Sequence, residues 1–240
     1  MRILHLIGGG DVGGAKTHVI SLVSRLTDYC EVKLVSFREG PFAEECRAAG
    51  IDTVVDESHA IGTAYRKLLK VVEAFCPDVI HCHGARANMM GVMIKHKRHI
   101  PVVTTIHSDY RLDYLGNLRK HLTFGMINRF CLRMVDYYTC VADRTARMMI
   151  SRGFSPSRVF TIYNGIDYKK RENAINKKAY LEQFGATYCE GDVLCGIAAR
   201  LTAVKDVQTL VKACARAVSR GAPVKLVIAG DGEDREGLEA

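Results

Sequence analysis

Short apolar runs of strand length alternate with stretches of helix length along most of this chain, and few folds accept that order. The runs fall at 3–7, 32–37, 78–82, 101–106, 137–142 and 158–163. They are nearly continuous in apolar residues, as parallel strands covered on both faces are. Helical segments lie between them at 14–27, 41–49, 62–75, 86–98, 118–134 and 143–152, and a weaker strand fits 52–55. This alternation implies right-handed crossovers and a parallel sheet.

The pattern breaks over 168–192, where Tyr168-Lys169-Lys170-Arg171-Glu172-Asn173 is polar and charged and a short helix fits 176–184. It restarts with a strand at 193–198, a helix at 206–219, a strand at 224–229 and the turn Gly230-Asp231-Gly232. The expected fold is α/β. A Rossmann-like parallel sheet with helices on both faces occupies 1–168, a linker 169–190, and a truncated second Rossmann-like unit 191–240.

The net charge of +8 needs an explanation. Nucleic acid, an anionic membrane surface and phosphate-bearing ligands would each suit it. Trp is absent and aromatics total 8%, with no basic stretch carrying aromatics at regular spacing, so nucleic acid is not expected as a partner. No apolar stretch approaches the ~20 residues of a membrane span. The nine cysteines are scattered, odd in number and without a C-x-x-C pair, which fits small core residues in a reducing cytoplasm.

The first strand runs into Gly8-Gly9-Gly10-Asp11-Val12-Gly13-Gly14 and then a helix. Glycines let backbone N–H groups approach an anion, and the helix N-terminus favours it electrostatically. Gly8, Gly10 and Gly13 fit G-x-G-x-x-G, but the acidic residue wanted at the end of the second strand is missing: Val35-Ser36-Phe37-Arg38 stands there. A P-loop needs lysine directly after its last glycine, and Ala15 precedes Lys16. A turn that only lets the first helix pack closely is the structural alternative.

Four later segments join the glycine loop. They are Asp78-Val79-Ile80-His81-Cys82-His83-Gly84, Val102-Val103-Thr104-Thr105-Ile106-His107, Ile162-Tyr163-Asn164-Gly165-Ile166-Asp167, and Ala199-Arg200-Leu201 with Val204-Lys205-Asp206 ahead of Gly230-Asp231-Gly232-Glu233. In this order, each at an expected strand end, they resemble the retaining glycosyltransferases of family GT4, which have the GT-B fold of two facing Rossmann-like domains. The resemblance implies transfer of a sugar, with retention, from a nucleotide-diphosphate sugar to a glycan or lipid-linked acceptor. It implies a donor such as a UDP- or GDP-sugar in a cleft between the two domains. No cofactor or metal is expected.

On that resemblance Arg200 and Lys205 hold the donor diphosphate. Charge grows on the leaving phosphate oxygen, and fixed cations there stabilise the transition state more than the ground state. Arg200 offers a bidentate fork and Lys205 a point charge. Gly13 and Gly14 would approach the donor from the first domain, and His107 would lie by the transferred sugar as the catalytic candidate. A lone strand-end histidine is as readily structural. His83 and Gly84 would line the acceptor side. His81 and His83 share a strand face, but the sequence shows no third or fourth ligand beside them, so no metal site is expected. Asn164-Gly165 reads as a turn where the chain leaves the first domain.

Three features depart from the family pattern. Ala199 stands where glycine is usual, and Ala142 where serine is common. The family's glutamate pair follows the clamp at a distance this chain does not reach; Glu182 and Glu190 have its spacing but precede the donor unit's first strand. The chain is thus expected to carry only part of the donor domain and to be a poor transferase alone. The basic segment 95–99 and helix 118–134 suggest a peripheral contact with the inner membrane face. The competing readings are a dinucleotide-dependent sugar oxidoreductase or epimerase and a non-catalytic acceptor-binding fragment. The first wants a Y-x-x-x-K pair after a middle strand, and Tyr29 and Lys33 come too early.

Overall fold

A computed structural model of the chain describes residues 1–9, 14–111, 125–165 and 176–239. Its first strands are β1 (Arg2–Ile7), β2 (Glu31–Ser36), β3 (Thr53–Val55) and β4 (Val79–His83). They are followed by β5 (Val102–Ile106), β6 (Tyr137–Cys140) and β7 (Val159–Thr161). All seven form one sheet in the order β3-β2-β1-β4-β5-β6-β7, every neighbouring pair parallel. The chain winds outward from β1 to β3 and then crosses to β4 on the other side. The topological switch point therefore lies between β1 and β4, where open α/β sheets bind ligands beyond the carboxyl ends of the strands.

Helices α1 (Gly14–Leu26), α2 (Pro41–Ala48), α3 (Ile61–Phe75), α4 (Ala85–Arg98), α5 (Met126–Met134) and α6 (Asp143–Ser151) alternate with the strands. They cover both faces. Ile7 and Leu34 pack with Val19 and Val23 of α1 and Phe42 and Cys46 of α2. On the other face, Leu4, Leu6, Ile80 and Cys82 pack with Leu68 and Val72 of α3 and Met90 and Ile94 of α4. Burying each such side chain contributes about 1.5–3 kcal/mol. Gly91 sets the distance of α4 from the sheet, since a Cβ there would stand 2.5 Å from Cys82 Sγ.

The expected strands 52–55 and 101–106 each lose their first residue, and two others are shorter by two or more. The run 137–142 ends at Cys140, because Val141 and Ala142 turn the chain into α6 with Ala142 as an extended N-cap. The run 158–163 yields three residues: Arg158 belongs to a 3₁₀ turn over Pro156–Arg158, and the strand ends at Thr161. The helix expected over 118–134 is described from Met126; its first residues lie outside the described ones.

The chain divides into two compact units, Met1–Ile166 and Asp167–Ala240. The second contains α7 (Lys177–Glu182), β8 (Val193–Ala198), α8 (Val207–Ser219), β9 (Val224–Ala229) and α9 (Arg235–Glu239). Its two strands are parallel. No helix among the described residues is long and apolar enough to cross a membrane.

Candidate active site

The carboxyl ends of β1, β4, β5 and β7 in the first unit bring together residues far apart in sequence. His83 closes β4, and His107 follows the last residue of β5. His18 enters from the first turns of α1, four residues after Gly14. The His18 and His107 rings are 5.1 Å apart, His83 and His107 5.8 Å, and His18 and His83 6.4 Å. His18 also hydrogen-bonds the Asn164 side chain just beyond β7. Behind this triangle, His5 of β1 lies 3.2 Å, nitrogen to nitrogen, from His83. His81 stacks on His83 with ring centres 4.5 Å apart.

Burial governs the protonation of these imidazoles. It pulls His107 down to about 4 and His81 to about 3, with neighbouring histidines pushing the same way. Burial likewise drives His5 and His83 well below the ordinary range. His18 is lowered by burial, with the Asn164 hydrogen bond opposing it. At neutral pH the cluster is therefore uncharged. Neutral imidazoles offer one donor and one acceptor each, which suits hydroxyl groups better than anions. The Nε2 of His107 and the Nδ1 of His83 are buried and have no partner among the described residues.

Side chains from other elements hold this edge in place. Arg152, next after α6, clamps Asp109 with two bonds of 2.6 Å and lies over the Tyr110 ring at 5.0 Å. That fixes the segment directly after His107. Under the β4–α4 turn, Thr104 Oγ1 donates to Asn88 Oδ1 at 2.6 Å and Asn88 Nδ2 donates to Asn128 Oδ1 at 2.9 Å. This buried chain ties β5, α4 and α5 together. Gly84 caps α4 with φ +86, in the left-handed region that favours glycine.

In the second unit, Arg200 is exposed in the loop after β8, and Lys205 is exposed at the end of a 3₁₀ turn before α8. Neither side chain has an ion-pair or hydrogen-bond partner among the described residues. The backbone on either side of Arg200 is held firmly: Ala199 N–H donates to Ala229 O at 3.0 Å, and Leu201 N–H to Asp231 O at 2.9 Å. The glycines of the 230–232 turn permit this. A Cβ on Gly230 would stand 1.8 Å from Ala199 O, and one on Gly232 2.1 Å from Leu201 O.

Of the residues singled out from the sequence, His83, Gly84 and His107 meet at one edge of the first unit, and Arg200 and Lys205 flank one loop of the second. Gly14 is the exposed first residue of α1 with open space around it; Gly13 lies outside the described residues. Gly9 is structural, since a Cβ on it would meet Ser36 Oγ at 2.2 Å. Sequence reasoning missed His18 and His5. Their only signal was a histidine four residues past the glycine loop and another inside an apolar strand. Contrary to the expectation from sequence, His81 and His83 do not lack a third neighbour: β1 brings His5 beside them, each ring offering a nitrogen within 4.8 Å of the others. Lys16 is paired with Glu45 at 2.5 Å, and Ser36 ends β2 with its hydroxyl donated to Arg38 O. Those positions serve neither a P-loop nor a dinucleotide ribose.

A family model of Glycosyltransferase Family 4 matches residues 12–170. Alpha-monoglucosyldiacylglycerol synthase of Streptococcus pneumoniae is 27% identical over 180 residues, which is 70% of this chain and 40% of that protein. Anabaena HepE, solved in complex with UDP, has a TM-score of 0.75 at 19% identity, over 100% of this chain and 64% of its own. The lipopolysaccharide outer core galactosyltransferase WaaB has a TM-score of 0.64 at 15% identity, over 100% of this chain and 63% of its own. The chain thus spans two fifths of the curated relative and under two thirds of the solved chains.

Proposed function

The chain belongs to Glycosyltransferase Family 4, and on that premise we propose that it serves to move a sugar, with retention, from a nucleotide-diphosphate sugar to a hydroxyl acceptor. The observation that carries the reading is the uncharged triangle of His18, His83 and His107 at the strand ends, with buried nitrogens left open for hydroxyl groups. His107 is the residue that hydrogen-bonds the transferred sugar, and His83 with Gly84 faces the acceptor. Arg200 and Lys205 take the diphosphate, free of other partners among the described residues and beside the N-terminus of α8. The backbone at Gly14 approaches the donor. The acceptor is a glycan or a lipid-linked sugar; exposed Met126, Ile127 and Phe130 on α5 favour the lipid-linked kind and a peripheral membrane contact.

Calorimetry with UDP and GDP tests the clamp. One of them should bind, and Arg200→Ala should weaken it about tenfold or more, the loss of a charge-assisted bidentate contact. Equal affinity in the variant would reject the clamp. Product from a UDP-sugar with lipid-linked and free glycan acceptors should keep the donor's anomeric configuration by NMR; an inverted linkage would reject retention.

A further inference from the structure

The trio of His5, His81 and His83 shares His83 with the sugar-facing triangle, and its other two rings, His5 and His81, are left unused by sugar transfer. In the β1–β4 register, His5 is the partner of His81 and Ile7 the partner of His83. The three imidazoles therefore share the face covered by α1, where Ile7 packs with Val19 and Val23. His5 is fully buried and His83 is 3% exposed, yet His5 Nε2 and His83 Nδ1 have no partner among the described residues. Their opposite nitrogens, His5 Nδ1 and His83 Nε2, face each other across the β1–β4 pair.

His81 is oriented as well as placed. His81 Nε2 lies 2.8 Å from Thr105 Oγ1, which is itself 2.7 Å from Thr139 Oγ1. That contact uses Nε2 and leaves Nδ1 as the other ring nitrogen. Metal-bound histidines are fixed by donating their other N–H to a neighbouring oxygen.

We propose that His5, His81 and His83 form a site for one borderline divalent transition-metal ion, Zn²⁺ in the first instance, in the first unit. Imidazole is the ligand such ions share, and three histidines with a fourth position open is a ligand set zinc takes. Two nitrogens each about 2.0–2.1 Å from a tetrahedral ion lie about 3.3–3.4 Å apart. His5 Nδ1 and His83 Nε2 stand 3.2 Å apart already. The widest separation in the trio is 4.8 Å, and the rings lie 11–33° from parallel, so closure turns the imidazoles toward a common point. The site shares His83 with the nucleotide-sugar reading but does not depend on it, since His5 and His81 take no part in sugar transfer and the test uses no sugar.

Chelator-treated protein is dialysed against Zn²⁺ or Co²⁺. The expected result is one ion retained per chain and a rise in Tm. The Co²⁺ spectrum should show tetrahedral d–d bands and no sulfur-to-cobalt charge transfer, which separates this site from the nine cysteines. His5→Gln and His81→Gln should each weaken retention about tenfold or more. If either variant fails to fold, X-ray absorption at the zinc edge of the wild-type protein decides, with an imidazole-nitrogen shell expected. No retained ion, a sulfur-ligated spectrum, or folded variants that bind as wild type would overturn the site. The trio would then be a hydrogen-bonded imidazole stack only.

Discussion

His107 and His81 show how a single side chain's surroundings set its chemistry. Burial holds them neutral down to about 4 and about 3 respectively, and His5 and His83 follow for the same reason. In the unfolded chain each titrates near 6.5. Between pH about 6.5 and 4 the unfolded chain then binds more protons than the folded one, so acid favours unfolding; above 6.5 this stabilisation is complete. Each histidine tilts stability by up to about 1.4 kcal/mol per pH unit inside that window. Urea unfolding of metal-free protein should be flat from pH about 8 to 6.5 and fall steeply toward 4.5. A flat profile through that lower range would mean that the rings are already solvated. His83 and His107 were legible in the sequence because they close expected strands inside motifs. His5 was not, because nothing local shows that it will meet His83, 78 residues away. Only the pairing of β1 with β4 makes them neighbours.

Elements decide where a charged residue can be offered. The turn Gly230-Asp231-Gly232 could be read from the sequence as a turn after a strand, but its task could not. It lies backbone to backbone against residues 199–201, so that Arg200 projects from a rigid edge. Replacing Gly230 by alanine puts a Cβ into the Ala199 carbonyl, 1.8 Å away, where only backbone movement gives relief. Gly230→Ala should therefore lower UDP affinity about as far as Arg200→Ala does, tenfold or more, although it removes no charge. Asp231→Ala keeps the backbone bonds and should bind UDP as wild type does. If calorimetry finds Gly230→Ala unchanged, the rigid edge is not what presents Arg200. Strand boundaries were read well at β8 and β9, although Lys225 interrupts the apolar run of the second. The error at 137–142 arose because Val141 and Ala142 are apolar yet belong to the cap of α6.

Across the molecule, the two units differ in how much they bury. The first has cores on both faces of its seven strands, with Leu4, Leu6, Leu34 and Ile80 fully covered. In the second, the buried apolar residues among those described are Leu181, Leu201 and Val207, and β8 and β9 keep partly open faces. A two-stranded sheet with one open side opens at low free energy. Amide hydrogen exchange should therefore protect β1, β4 and β5 far longer than β8 and β9. A ligand stabilises the folded form it binds in proportion to its occupancy, by about 2.7 kcal/mol at a hundredfold excess over Kd. UDP should thus slow exchange across residues 199–206 and 229–233, which share backbone hydrogen bonds with the Arg200 loop. It should leave the interior of the seven-stranded sheet unchanged. Slowing confined to the β1 and β4 edges would transfer the diphosphate to the glycine loop and leave Arg200 and Lys205 as ordinary surface charges. Equal protection in both units would show that the second is stabilised by more than its own three buried side chains.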